Sequence, residues 1–172
     1  TTLYFYDDFV DDPAASWTDV SGTWSWDGSD YFQNTSTTSG ANTWIGSESW
    51  TDYVVEVVMR PDSSGGDPGV MTRVQAVSAS NDHGSSYYIG LYPGSGSVVL
   101  GYMDGSWHAE ASASAGISSG NWYTVQHRMV GSSHEVWVDG TLYISHTDTT
   151  YGYGSVGFRT YRSPATYDSI LV

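Results

Sequence analysis

Residues 121–146, NWYTVQHRMVGSSHEVWVDGTLYISH, hold three short β-rich runs parted by turn formers. In Trp122–Val130 the side chains alternate. Tyr123, Val125, His127 and Met129 fall on one face, and Trp122, Thr124, Gln126 and Arg128 on the other, the period-two pattern of a half-buried strand. The first set predicts the core face, which makes His127 a core histidine. The same rule turns Val136 and Val138 inward and Glu135 and Trp137 outward. Asp139-Gly140 joins His134–Val138 to Thr141–His146 and suits a type I′ turn, whose two central residues need positive φ. One strand followed by a tight hairpin is therefore expected.

The same grammar runs outward in both directions. Every apolar stretch is short and is closed by Gly, Ser, Asn or Asp within about ten residues, so helical periodicity is missing. Further strands are expected at 3–7, 23–27, 53–60, 69–75, 87–92, 97–103, 107–111, 155–161 and 167–172, with Asp104-Gly105 predicting a second type I′ hairpin. Val156 and Phe158 read as inward, and Arg159 and Tyr161 as outward. Residues 61–69 and 112–120 read as loops within one domain spanning 1–172, since no repeat or linker interrupts the chain. Twelve short strands predict an all-β fold, an antiparallel two-sheet β-sandwich of the jelly-roll type.

Composition narrows the function classes. The 172 residues include 14 Tyr, 8 Trp, 4 Phe and 20 Gly, the strand and turn formers of an all-β chain. Nineteen acidic residues face five arginines and no lysine, a net charge of −14 that repels nucleic acid and predicts no such partner. Without cysteine there is no disulfide or thiolate chemistry. No apolar run reaches the ~18 residues of a membrane helix, and Thr1 does not begin a signal peptide. The chain therefore reads as a mature module, and its acidic composition alone points to a secreted setting.

Several motifs resemble one known family in order and spacing. They are Tyr6-Asp7-Asp8-Phe9, Ser16-Trp17, Ser21-Gly22-Thr23-Trp24-Ser25, Gly69-Val70-Met71-Thr72-Arg73, Asn121-Trp122-Tyr123-Thr124-Val125, Val136-Trp137-Val138-Asp139-Gly140, and the stretch from Gly154 to Val172. They resemble concanavalin A-like and laminin-G-like domains of carbohydrate-active proteins, similar to family 66 carbohydrate-binding modules and to the 3-keto-glycoside hydrolase-like domain. The resemblance implies a jelly roll that binds glycans beside a catalytic or surface domain, or occasionally hydrolyses them. It also implies that the first and last strands lie close and share a structural calcium, for which Asp8 and Asp168 are the candidate ligands. Calcium takes carboxylate and carbonyl oxygens of this kind.

Glycosidases need two carboxyls about 5–10 Å apart across the scissile bond. Only Glu48, Glu56, Glu110 and Glu135 are present as glutamates, each isolated, which favours a non-catalytic module. A lyase base with Arg and amide neutralisers is superficially offered by Gln126, His127 and Arg128, but alternation puts His127 on the opposite face. The five histidines show no zinc spacing. Sugar recognition needs flat aromatic faces and directional polar groups. The expected ligand set is Arg73, Asp82, His83, Tyr87, Tyr88, Trp107, Arg159, Tyr161 and Arg162, with Trp107 projecting from its turn to stack on a ring. The leading expectation is a polysaccharide- or oligosaccharide-binding module. The alternatives are a small hydrolase or lyase on the same fold and a calcium-stabilised adhesive module.

Overall fold

The structure is a computed structural model that describes residues 2–29, 31–35, 40–79 and 84–172. Its strands are β1 Tyr6–Asp7, β2 Thr18–Ser21, β3 Trp24–Trp26, β4 Phe32–Asn34, β5 Ala41–Ile45, β6 Tyr53–Pro61, β7 Asp67–Ala76 and β8 Ser85–Tyr92. They continue as β9 Ser97–Asp104, β10 Trp107–Ser114, β11 Tyr123–Val130, β12 Ser133–Val138, β13 Thr141–Thr147, β14 Ser155–Tyr161 and β15 Ala165–Leu171. Three of these, β2, β4 and β5, escape the sequence pattern. They are too short or too polar to show a period, and their pairing with longer neighbours makes them strands.

One sheet runs β13-β12-β11-β6-β15-β4-β3, with β1 also on β15; the other runs β10-β9-β8-β7-β14-β5-β2. All pairs are antiparallel, so the fold is the two-sheet jelly roll that the pattern predicts. The inward positions of both sheets meet in one core that holds Val55, Val57 and Met59 of β6, Val125 and Met129 of β11, Ile89 and Leu91 of β8, and Phe158 of β14. Each such side chain contributes roughly 1.5–3 kcal/mol on burial. At one end, Phe158 stacks on Tyr167 with centroids 3.8 Å apart, and Trp17 lies 4.7 Å from Phe158 on its own approach.

The hairpins are resolved differently. Asp139 and Gly140 have φ of 48° and 75° with Val138 opposite Thr141, a type I′ turn as expected. At Asp104-Gly105 only Gly105 has positive φ, and Met103 pairs with Trp107, so the loop takes in Ser106 and is not type I′.

Two features of the interior bear on function. The first is a bulge in β7: partners on β14 step from Thr72↔Val156 to Val74↔Ser155, and the skipped residue, Arg73, has φ 46°. A bulge reverses facing beyond it. Val70 joins the central core while Val74 joins Met71, Tyr88 and Met103 in a second cluster on the sheet's outer side. The second is a polar seam between the sheets. Thr72 Oγ1 lies 2.9 Å from His127 Nδ1, and His127 Nε2 lies 3.0 Å from His134 Nδ1. The His134 ring sits 4.4 Å from that of Tyr87, whose hydroxyl donates to the Asp148 carboxylate. Burial holds the His127 pKa well below the ordinary value and pushes His134 down to about 4, so both rings are neutral near pH 7.

Candidate functional site

The outer face of the smaller sheet has an unusual construction. Four neighbouring strands place glycine at adjacent outward positions: Gly157 on β14, Gly69 on β7, Gly90 on β8 and Gly101 on β9, linked in register as Gly157↔Met71, Gly69↔Gly90 and Tyr88↔Gly101. Large side chains lie flat over the backbone that these glycines leave bare. A Cβ added at Gly90 would fall 2.9 Å from Tyr88 Cε1, and one added at Gly69 would fall 2.9 Å from Tyr88 Cε2. At Gly101 it would fall 2.4 Å from Trp107 Cη2, and at Gly157 2.8 Å from Met71 Cε. A side chain at these positions would press on the covering groups and, at Gly69, Gly101 and Gly157, on a main-chain carbonyl that lies closer still, so the glycines set the depth of the face.

On this floor stands a ladder of rings and guanidinium groups. The Arg159 guanidinium lies 4.8 Å from the Tyr88 ring centroid and 5.3 Å from that of Tyr161, and the Arg162 guanidinium lies 4.9 Å from Tyr161. Cation–π contacts of this kind contribute about 0.5–2 kcal/mol, more as water is excluded. Arg159 also pairs with Asp67 at 3.5 Å, and both are buried. The Tyr88 hydroxyl donates to the Asp67 carbonyl at 2.8 Å, and burial raises its pKa well above the ordinary value, so it stays a donor. The ladder thus runs from a fixed, buried end at Tyr88 to a half-buried Tyr161 and an exposed Arg162, with half-buried Tyr92 beside it. A planar donor fork and ring edges within reach of solvent are groups that bind paired hydroxyls or a carboxylate.

The expected ligand residues separate on the structure. Arg159, Tyr161 and Arg162 come together here with Tyr88. Tyr87 does not, because alternation sends it to the interior seam, opposite its neighbour Tyr88. Arg73 is removed by the bulge: it is 1% exposed, and its guanidinium bonds to the main chain of Thr51 and Tyr151. Trp107 does not project; it lies against Gly101 and meets Tyr88 edge-on at 5.8 Å. Asp82 and His83 lie outside the described residues. The segment leading to them crosses the outer cluster, where Val77 packs and Asn42 Nδ2 donates to the Ser78 carbonyl at 2.8 Å. Asp67, Tyr92 and the glycine floor escaped the sequence reading. A glycine at the outward position of strand after strand is the sequence signal that could have found the floor.

Gly101→Ala should therefore press on both the His108 carbonyl at 2.2 Å and the Trp107 ring, displace the ring, and lower stability by about 2 kcal/mol, the usual scale of overpacking. Thermal melting with tryptophan emission as the readout checks this. An unchanged melting temperature and spectrum would mean that the ring is not seated on the glycine.

Two other surfaces carry polar groups. A groove of about 740 Å³ on the outer face of the larger sheet is lined by Tyr4, Glu56, Gln126, Arg128, Trp137 and Leu171. There Gln126 Nε2 donates to Glu56 Oε2 at 2.5 Å and the Trp137 indole to Glu135 at 3.4 Å. At the chain ends, β1 pairs with β15 through Tyr6↔Leu171 and Asp7↔Ile170. This brings Asp8 and Asp168 to the same corner. Asp7 is engaged by the Trp17 indole at 2.8 Å and the Phe9 N–H at 2.9 Å. Exposed Asp8 and half-exposed Asp168 offer the oxygen chemistry that calcium takes.

Comparison with known proteins follows the fold. The sequence model of a family described as "3-keto-alpha-glucoside-1,2-lyase-like domain" matches residues 9–172. No curated protein sequence matches the chain. Among solved structures it is similar to the carbohydrate-binding module CBM66 from Bacillus subtilis, with TM-score 0.76 and 18% identity over 89% of this chain and 92% of that one. It is also similar to a Bacillus licheniformis beta-glucanase, with TM-score 0.73 and 15% identity over 99% and 98%. A Bacillus subtilis protein of unknown function with a galectin-like fold gives TM-score 0.79 and 13% identity over 99% and 95%. At such identities the likeness is one of fold.

Proposed function

The chain belongs to the family of 3-keto-alpha-glucoside-1,2-lyase-like domains, and on that footing we propose that it is a non-catalytic glycan-binding module. The observation that carries this reading is the ladder Tyr88, Arg159, Tyr161, Arg162 standing on the glycine floor. Its solvent end supplies the edge of the half-buried Tyr161 ring for the apolar side of a sugar and the exposed Arg162 fork for its hydroxyls. Among the described residues, the outward strand positions Gly69, Met71, Tyr88, Gly90 and Gly157 hold no carboxylate, and neighbouring Asp67 is ion-paired to Arg159. The floor thus lacks the two opposed carboxyls of glycoside hydrolysis. The reading includes a secreted setting, attachment to a catalytic or surface domain, and a structural calcium at Asp8 and Asp168.

Affinity gels and glycan arrays with the whole chain test the proposal. Tyr161→Ala and Arg162→Ala should each weaken retention about tenfold, the scale of one lost contact worth ~1.4 kcal/mol. Arg162 is exposed, so its variant should melt within a degree or two of the parent, whereas Tyr161→Ala gives up two cation–π contacts and should melt a few degrees lower. Trp137→Ala, in the groove of the other sheet, should leave retention unchanged. No retention by any neutral or acidic polysaccharide would sink the proposal, and loss only with Trp137→Ala would move the site to the groove. Catalysis is the second reading, favoured by the family's lyase description and the glucanase fold-mate. It predicts reducing ends or unsaturated products after long incubation with a bound glycan.

A further inference from the structure

We propose that Glu110, His146 and Asp148 form a zinc site that clasps β10 to β13, the edge strands of the two sheets. Among the described strands each ends its sheet, and the two pack against one another. The three residues offer one ligand atom apiece, all within 4.8 Å of one another. His146 Nε2 and Glu110 Oε2 are 3.2 Å apart. Neighbouring ligands around a tetrahedral zinc, with bonds of about 2.0–2.2 Å, sit roughly 3.3 Å apart. His146 and Glu110 already have that spacing, and modest inward moves of these partly accessible side chains bring the set onto one ion.

The site also has a supporting shell. The Tyr87 hydroxyl and the Thr150 N–H, the latter at 2.8 Å, both donate to Asp148 Oδ1, which fixes the carboxylate. Outer bonds of this kind orient ligands in zinc sites. His134 lies directly opposite His146 in the β12–β13 register, with Nδ1 bonded to His127 and the other side of its ring against the main chain of Asp148, which ties the segment carrying Asp148 to the interior seam. One imidazole among the donors selects zinc or a similar transition metal over calcium, which takes oxygen ligands.

The test uses the whole chain stripped of metal with a chelator and titrated with zinc chloride by calorimetry and thermal melting. One zinc per chain is expected, with the melting temperature raised by about 5 °C when zinc is in hundredfold excess over its dissociation constant. Glu110→Gln and His146→Gln should each weaken zinc at least tenfold, while His108→Gln, on a surface histidine bonded to Asp104, should not. If His146→Gln destabilises the chain, Glu110→Gln decides alone, because that side chain lies at the surface. No zinc binding at micromolar concentrations, or binding that survives Glu110→Gln, overturns the proposal. Glycan affinity plays no part in the readout, so the outcome is independent of the proposed function.

Discussion

Arg73→Ala is expected to destabilise the protein by about 3–5 kcal/mol, the range for breaking a buried charged network. For a chain of this size that is a fall in melting temperature of roughly 10 °C. The cause is the position of the guanidinium at the end of the sandwich. Nε donates to the Thr51 carbonyl at 3.1 Å, Nη1 to the Tyr151 carbonyl at 2.8 Å, and Nη2 lies 3.4 Å from Asp52 Oδ1. Asp52 in turn accepts from the Gly131 N–H at 2.8 Å. One side chain thereby ties the approach to β6, the exit from β13 and the β11–β12 turn. Alanine would leave two carbonyls without donors and open a void. Lysine, a point charge without the planar fork, should recover only part of the loss. Glycan retention by the protein that remains folded should match the parent. A melting temperature within two degrees of the parent would refute this account of Arg73.

Acid should weaken the fold well before its carboxylates protonate. His127 and His134 are held neutral inside, with folded pKa values below the ~6.5 of an unfolded histidine. Between those values the unfolded chain binds more protons than the folded one, so stability falls as pH falls. The contribution is complete above about pH 6.5 and is lost through the window down to about 4 for His134, and further down for His127. Each histidine adds a slope approaching ~1.4 kcal/mol per pH unit. Arg73 reinforces the effect on both rings and His146 on His134, while Asp148 opposes it at His134. The Thr72 and Tyr87 hydroxyls facing the pair add no charge near neutral pH. Melting curves from pH 7.5 to 5 in the presence of chelator measure the slope free of any metal at His146. A flat profile over that range would show that the pair does not titrate on unfolding.

The sequence carried the fold wherever alternation ran unbroken. Val125, His127 and Met129 are buried as their period requires, and the Asp139-Gly140 turn forms as its residue types demand. Pattern reading lost its hold where one residue shifts the phase. At the β7 bulge Arg73 is pushed into an end of the sandwich instead of lying on the outer face, and nothing local in Thr72-Arg73-Val74 marks the extra residue. Arg159 faces outward as read, yet it is buried together with Tyr88, because the outer face carries its own layer of rings. Burial of that kind depends on what neighbouring strands place alongside, a long-range property. The Glu110, His146 and Asp148 grouping is likewise invisible in sequence, since it joins edges of different sheets.

The glycine floor has a further consequence for how such a domain can change. Rings seated against backbone have few rotamers left to lose, so a ligand meeting them finds a surface that is already ordered. Tyr161, Arg162 and Tyr92 stand at the rim, where substitutions do not disturb the central core. Preference for one ligand over another can therefore drift, or be redesigned, by exchanging rim residues alone, with the scaffold beneath held constant.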